Sequence, residues 1–175
     1  DCFLAYGIIK MNGEFNFKGV ILLSKMLDPD SLNMSGLSIG EIYVGKKASV
    51  SKTIEASDVY TFAGLIGDIN PVHVNAEYAK TTRFGKRIAH GMLTASFIST
   101  IVGMLIPGAD AIYCGQTLKF TAPVYFGDTI TVNAEVTKII PEKRLVIMRT
   151  TITNQDGKVV VDGEATAMAT KEDEQ

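Results

Sequence analysis

Two short stretches of the chain carry residue types that can exchange protons with a ligand. In the first, Gly67–His73, a carboxylate at Asp68 and an imidazole at His73 are five positions apart, with Asn70 and Pro71 between them. Pro71 fixes its own φ and disfavours the helical conformation at Asn70, so the segment predicts a rigid turn that could aim both side chains at one point. Such a pair, sharing one water molecule, can act as general acid and base. The alternative is that Asp68 and Asn70 only stabilise the turn, and that His73 is an ordinary surface residue.

The second stretch, Ala89-His90-Gly91-Met92, lies where a loop enters a long apolar segment. The first N–H groups of a helix have no partner within the helix and carry partial positive charge. A glycine at this point allows a ligand to approach the backbone closely, so Gly91 is a candidate oxyanion-binding residue. The alternative is that Gly91 permits tight packing at the helix start and that His90 caps the helix.

The elements that must position these residues follow from the spacing of apolar side chains. A broadly alternating, β-branched run over Glu41–Ile54 predicts a strand, and Asp58–Ile66 predicts a short helix with Ser57 as its N-cap. Residues 68–89 are interpreted as an irregular excursion with one helical turn at Ala76–Thr81.

The segment Gly91–Leu105 is apolar on every face, which predicts a buried helix. Short turn-forming stretches separate the strand-like runs that follow it, and this favours antiparallel connections. These runs are Ala111–Val124, Thr129–Ile140, Leu145–Thr153 and Val159–Ala169. A long buried central helix followed by a meander of strands predicts an α+β fold, in which an antiparallel β-sheet wraps around that helix.

Composition excludes several classes of protein. The net charge is −2 and the pI about 5.7, which argues against a nucleic-acid partner. No apolar stretch approaches the length of about 18–20 residues that a transmembrane helix needs, so no membrane partner is expected. Cys2 and Cys114 form no spacing motif, which argues against a disulfide framework and favours a cytoplasmic location. The only two histidines stand in separate motifs without metal-ligand spacing, and no metal site is predicted.

An anionic ligand of this acidic chain would have to meet a local cluster of cations. Lys80, Arg83, Lys86 and Arg87 form such a cluster between the two motifs, and no acidic residue interrupts it. The cluster is therefore a candidate phosphate-binding element at the mouth of the site. The alternative is an ordinary solvated loop.

The two motifs, with Ala79 and the run Arg87–Leu93, resemble the MaoC-like, (R)-specific enoyl-CoA hydratases. The resemblance covers about residues 40–169 and extends into the strand-forming half of the chain. The matching segments there are Gly115–Phe120, Pro123-Val124, Gly127-Asp128 and Gly163-Glu164-Ala165. It implies a hot-dog fold, a homodimer, no cofactor, and reversible hydration of trans-2-enoyl-CoA to (R)-3-hydroxyacyl-CoA.

The resemblance also implies a role for individual residues. Asp68 and His73 match the catalytic pair of the family, and Asn70 matches the amide that fixes the loop. Gly91 matches the residue whose backbone N–H binds the substrate carbonyl, and Ser99 matches a serine that lines the active site. Under this reading Lys80, Arg83, Lys86 and Arg87 are candidates for binding the phosphates of CoA.

Other functions share much of this pattern. A dehydratase of 3-hydroxyacyl groups on CoA or acyl carrier protein would use the same residues, because the reaction is reversible. A hot-dog thioesterase would need a carboxylate aimed at the thioester carbonyl. A non-catalytic acyl-CoA-binding module would have no use for an acid–base pair. Acyl-chain length, pathway and the residue that returns the proton to C2 do not follow from the sequence.

Residues 1–33 lack a counterpart in the compact members of this family. They are predicted to be an N-terminal extension or leader, separate from a hydratase domain at residues 34–175. The alternative is a native extension that packs on the domain or its partner.

Overall fold

The architecture is an antiparallel sheet packed against helical segments. In the computed structural model the described residues are 36–170, so the prediction for residues 1–33 lies outside them. The five strands are β1 (Lys47–Thr53), β2 (Ile112–Phe120), β3 (Thr129–Ile140), β4 (Leu145–Thr153) and β5 (Val159–Met168). Their order in the sheet is β1-β3-β4-β5-β2, and every neighbouring pair is antiparallel.

The helical part precedes β2 in the chain. It consists of α1 (Ala56–Ile66), α2 (Pro71–Val74), α3 (Ala76–Lys80), α4 (Gly91–Ser96) and α5 (Ile98–Met104). Within residues 36–170, no helix is long and apolar enough to cross a bilayer. The α+β prediction, with a sheet around a central helix, is confirmed.

The core lies between the inner face of the sheet and the α4–α5 segment. Alternate residues of β3 and β4, such as Val132 and Met148, are buried on this face, as period-2 strands require. On the helical side Ile98, Ile101 and Val102 are almost fully buried. This packing fixes α4, and with it the position of Gly91 at its first residue.

The predicted central helix differs from expectation in two ways. It is interrupted at Phe97, next to Ser96, whose hydroxyl donates a hydrogen bond of 2.7 Å to the Leu93 carbonyl. A hydroxyl bonded to the preceding turn competes with the helical ladder and bends helices. The helix is also not buried on every side, because Met92 and Met104 are about half exposed. An apolar residue pattern therefore overstated the burial of this segment within one chain.

Three smaller boundaries were predicted wrongly. The strand expected to run to Val124 ends at Phe120. The first strand begins at Lys47 instead of Glu41, because Ile39–Glu41 forms a 3₁₀ turn and Gly45 turns the chain with φ of 91°. The first helix begins at Ala56, and its N-cap is Glu55, not Ser57. The Glu55 N–H donates to the Asp58 carboxylate over 2.8 Å, which completes a capping arrangement two residues before the predicted cap.

A matched pair of glycine substitutions tests the close pairing of β5 with β2. A Cβ at Gly163 would lie 1.9 Å from the Thr117 carbonyl oxygen, whereas a Cβ at Gly64 in α1 meets nothing within 4 Å. Gly163→Ala is expected to lower the free energy of unfolding by about 1–3 kcal/mol through overpacking. Gly64→Ala is expected to raise it by about 0.5–1 kcal/mol, because alanine is the better helix former. Denaturant titrations at one protein concentration measure both, and equal effects would contradict the pairing.

Candidate active site

The turn that carries Asp68 and His73 is built by three consecutive backbone devices. Gly67 ends α1 in the left-handed conformation, with φ of 77°, which glycine adopts without strain. Asn70 then caps α2, its side-chain oxygen accepting from the Val72 N–H over 3.2 Å. Pro71 occupies the first turn of α2, where its missing N–H is not needed. The predicted rigid turn is therefore present, and it includes a short helix that sequence reasoning missed.

Within residues 36–170, the His73 imidazole is held by one hydrogen bond to the backbone. It is 9% exposed, and its Nδ1 lies 2.8 Å from the Ile88 carbonyl oxygen. A carbonyl only accepts, so Nδ1 carries the proton and Nε2 is left with a free lone pair. The Ile88 N–H in turn donates to the Val72 carbonyl over 3.3 Å. The two motifs are thus joined directly, although fifteen positions separate His73 from Ile88.

The environment of His73 favours its neutral form. Burial lowers the pKa of His73 below 6.5, and the neighbouring His90 adds to this, while the Ile88 carbonyl and Asp68 oppose it. A neutral imidazole with a free Nε2 can accept a hydrogen bond from water. This is the state that an acid–base partner needs near neutral pH.

Asp68 presents its carboxylate at the surface of the turn. The side chain is 49% exposed, and its Oδ1 accepts from the Asn70 N–H over 3.2 Å. Asp68, His73 and His90 each offer a ligand-type atom, and these atoms lie within 4.8 Å of one another. The sequence predicted that Asp68 and His73 would be aimed at one point, and it did not predict that His90 would join them.

His90 is the residue whose place the sequence did not reveal. It is the N-cap residue of α4, but its side chain makes no capping hydrogen bond. Instead its ring stacks on that of His73, with centroids 3.8 Å apart and planes tilted by 31°. In this grouping the Nδ1 of His73 and the Nε2 of His90 are already engaged by backbone carbonyl oxygens, which leaves one nitrogen of each ring. The only sequence signal was the recurrence of histidine in both motifs.

Gly91 lies at the first residue of α4, in the wall of a pocket of about 580 Å³. Ile88, Ala89 and Thr94 line the same pocket, and Phe120 packs so closely that a Cβ at Gly91 would lie 3.0 Å from its ring. Among the described residues, Asp68 and His73 are not part of this lining. They adjoin it through the Ile88 carbonyl and through His90, the chain neighbour of Gly91.

The four predicted phosphate-binding cations occupy different surroundings. Arg83 lines the pocket that contains Gly91, and its guanidinium lies 4.9 Å from the Phe84 ring centroid. Lys80, Lys86 and Arg87 line a smaller cavity of about 270 Å³. Lys80 is paired with Glu77 over 2.6 Å. The cluster is therefore divided between two neighbouring cavities.

Two of these cations also rest on aromatic rings. The Lys86 Nζ lies 4.3 Å from the centroid of the Tyr125 ring. The Arg87 guanidinium lies 4.5 Å from the Phe126 centroid and also hydrogen-bonds the Tyr60 hydroxyl. Cation–π contacts of this kind hold a side chain in place without neutralising its charge. Arg87 is consequently the most firmly anchored member of the cluster.

Ser99 makes no described contact with the predicted catalytic pair, Asp68 and His73. It is exposed on α5, and no hydrogen bond joins its side chain to Asp68 or His73 within residues 36–170. Its proposed place in an active site stays a prediction.

Comparison with known proteins points to one family. The model of the MaoC-like domain matches residues 42–158. The chain is 56% identical to an (R)-specific enoyl-CoA hydratase of Rhodospirillum rubrum, over 73% of this chain and 88% of that protein. It is 43% identical to a 3-hydroxybutyryl-CoA dehydratase of Methylorubrum extorquens, over 77% and 85%. The unliganded R-hydratase PhaJ1 of Pseudomonas aeruginosa superposes with a TM-score of 0.75 at 47% identity, covering 78% of this chain and 88% of that one.

The environment of His73 leads to a prediction about pH. Burial favours the neutral imidazole, so NMR titration of its ring protons is expected to give a pKa below 6.5. The unfolded chain then binds the proton at higher pH than the folded chain does. The free energy of unfolding should therefore fall as pH drops below about 6.5. His73→Gln serves as the control. It lacks the pH dependence that the His73 imidazole contributes, and the loss of the ring resonances identifies those of His73. A pKa at or above 6.5 would contradict the assigned environment.

Proposed function

The chain belongs to the MaoC-like domain family, and we infer that it is an (R)-specific enoyl-CoA hydratase. It adds water reversibly to trans-2-enoyl-CoA and gives (R)-3-hydroxyacyl-CoA. The observation that carries this inference is the pairing of Asp68 with a neutral His73 on one rigid turn, in a chain 56% identical to a hydratase of this specificity. Addition of water changes no net oxidation state, so the reaction needs no redox cofactor.

Each step of the reaction has a group that suits it. The water oxygen bonds to C3 while the Asp68–His73 pair takes one proton of that water, and the pair then returns this proton to C2, so that the water is added in full across the double bond. We propose Asp68 as the chief base, with the free Nε2 of His73 orienting the same water. The N–H of Gly91, free of an intrahelical acceptor, is suited to stabilise the enolate oxygen of the thioester. Asn70 supports the turn that carries both side chains.

A spectrophotometric assay of crotonyl-CoA tests the function and the site together. We expect loss of the conjugated enoyl absorbance and a product that is mainly the (R) enantiomer. Asp68→Asn and His73→Gln should each lower kcat by about 10²-fold or more while the fold stays intact, because each removes a general acid–base group. Asn70→Ala should cost less, since Asn70 acts through the turn.

The matched control for Asn70→Ala is Asn75→Ala. Asn75 caps α3 in the same way, accepting from the Tyr78 N–H over 3.0 Å, but it holds no catalytic residue. Release of free CoA would instead indicate a thioesterase. Faster turnover of thioesters on acyl carrier protein would favour the carrier-protein dehydratase. Near-full activity of Asp68→Asn or His73→Gln would refute the proposed roles.

We propose that the divided cation cluster binds the phosphates of CoA. Arg83 lines the pocket of Gly91, so it is suited to meet a ligand whose thioester lies at that backbone. Lys86 and Arg87 face the adjoining small cavity with their charges uncompensated by a described ion pair. Lys80 is the weakest candidate, because Glu77 already pairs with it.

Charge removal in the cluster should weaken binding of CoA without slowing the chemistry. We expect Arg83→Ala with Lys86→Ala to raise KM for enoyl-CoA and to leave kcat nearly unchanged, because uniform binding affects both states equally. The effect should shrink at high salt, because the Debye length falls below its physiological value of roughly 8 Å and exposed charges are screened more strongly. Lys143→Ala, in an exposed turn after β3, is the control. Equal losses on an enoyl-pantetheine substrate would mean that the cluster only supports its loop.

We also propose that the chain forms a homodimer through β2. This strand pairs with β5 on one side only and is exposed on most of its length. Ile112 and Phe120 are large apolar side chains on it, 60% and 49% exposed. An unpaired edge strand with exposed apolar residues can pair with a strand of another chain, and pairing across a two-fold axis leaves neither β2 edge exposed. The exposed side of α4–α5 presents further apolar surface for the same contact.

Light scattering at micromolar concentration should give twice the mass of the chain. Replacing Ile112 with lysine places a charge on the open edge and should shift the protein toward monomer. Lys47→Ala, on the opposite edge strand, is the matched control and should leave the dimer intact. A wild-type monomer would overturn the proposal.

The cysteines support a reducing compartment. Cys114 is a free, exposed thiol on β2, and Cys2 lies outside the described residues. We therefore propose a cytoplasmic location, where thiols stay reduced.

A further inference from the structure

His90 is a buried imidazole that the proposed chemistry does not use. It is 2% exposed, and its Nε2 lies 2.9 Å from the backbone carbonyl oxygen of Asp68. Its ring lies against His73 on one side, and the Phe62 ring of α1 lies 5.3 Å from it, centroid to centroid. The Asp68 carboxylate is 4.0 Å from the same Nε2. Among the contacts found within residues 36–170, His90 is therefore the side chain that links both members of the proposed pair.

The contacts of His90 determine its tautomer. A carbonyl oxygen accepts only, so Nε2 must carry the proton. The other nitrogen, Nδ1, is buried without a hydrogen-bond partner among residues 36–170. In this arrangement His90 offers the Asp68 backbone a hydrogen-bond donor at Nε2 and offers His73 a flat ring face.

The hydrogen bond from His90 restrains the backbone of Asp68, from which the carboxylate side chain extends. Asp68 directly follows the left-handed Gly67 and comes two residues before the Asn70 cap, and its side chain is half exposed. Burial therefore does not hold this carboxylate. The described contacts that hold it are the Asn70 N–H on Oδ1 and the Nε2–H of His90 on the carbonyl oxygen.

We propose that His90 is a positioning residue for the hydration: its Nε2–H fixes the backbone of Asp68, and its ring face fixes the plane of His73. Through these contacts it holds the carboxylate and the imidazole of the pair at one separation. This inference rests on the proposed roles of Asp68 and His73. A misplacement of about 1 Å at a reacting group lowers rates by on the order of 10²-fold.

Two substitutions separate the hydrogen bond from the ring contact. His90→Gln can present an amide N–H where Nε2–H lies, but it loses the ring. His90→Phe keeps a flat ring and loses the donor. If the hydrogen bond positions Asp68, kcat on crotonyl-CoA should fall by about 10²-fold in His90→Phe. The fall should be clearly smaller in His90→Gln, with KM nearly unchanged in both variants.

The matched control is Phe62→Leu. It removes the other ring that contacts His90 without touching Asp68 or His73, so kcat should stay near that of the wild type. Circular dichroism at the assay temperature verifies that every variant is folded. A merely structural role would lower the melting temperature in all three variants without the ordered loss of kcat.

The tautomers are tested by a measurement that does not depend on activity. The chain contains two histidines, so ¹⁵N NMR of tag-free protein reports only His73 and His90. We expect a protonated Nε2 at His90 and a protonated Nδ1 at His73 near neutral pH. His90→Phe leaves His73 as the sole signal and completes the assignment.

The outcomes distinguish this inference from the proposed function. A protonated Nδ1 at His90, or kcat in His90→Phe equal to or above that in His90→Gln, would overturn the positioning role while the hydratase stands. Near-full activity of Asp68→Asn would instead refute the proposed catalytic pair on which the inference rests. Loss of kcat in His90→Phe with the expected tautomers supports both.

Discussion

Two hydrogen bonds from imidazole rings to backbone carbonyls organise the site. The His73 ring donates to the Ile88 carbonyl, just before the second motif, and the His90 ring donates to the Asp68 carbonyl in the first motif. Each bond also selects a tautomer, because a carbonyl can only accept. The free Nε2 of His73 follows from the first bond, and the anchoring of Asp68 follows from the second. The acid–base role proposed for the pair therefore depends on backbone geometry as much as on residue type.

The fold supplies the rigidity on which those two bonds depend. The Ala89 N–H donates to the Val124 carbonyl over 2.8 Å, which ties the segment before α4 to the chain between β2 and β3. Ile98 and Ile101 then fix the helical segment against the sheet. A sheet with one buried face has a specified register, since a slip of one residue would turn every core side chain outward. The position of His90 is in this way set by the core.

Much of this arrangement was predictable from sequence, for identifiable reasons. The strands follow the alternation of apolar residues, and the turn at Asn70-Pro71 follows from the chemistry of those residues. The proposed roles of Asp68 and His73 came from the resemblance of their motif to that of the MaoC-like hydratases. The interruption at Phe97 was not predictable from apolar pattern, because it coincides with a hydroxyl bonding to its own helix at Ser96. The half-exposed helix face was missed because hydrophobicity does not say whether a surface is covered within one chain or by another.

The place of His90 was missed for a different reason. Its partners, Asp68 and His73, lie seventeen or more positions away in the chain. A tautomer or a contact between two rings produces no periodic pattern in the local sequence. The division of the cations between two cavities was hidden in the same way, since it depends on where Phe84, Tyr125 and Phe126 place their rings. Local pattern specifies elements well, and contacts between distant side chains poorly.

The reciprocal bonds between residues 68–73 and 88–90 also define what they enclose. Together with the hydrogen bond from the Ile88 N–H to the Val72 carbonyl, they join the two ends of the excursion formed by residues 74–87. The cations lie within this closed excursion, and the proton-transfer residues lie at its base. If the cations bind the thioester carrier as proposed, insertions or charge changes among residues 76–87 would change which carrier is bound without moving Asp68 or His73. Recognition of the carrier could then change independently of the proposed acid–base pair.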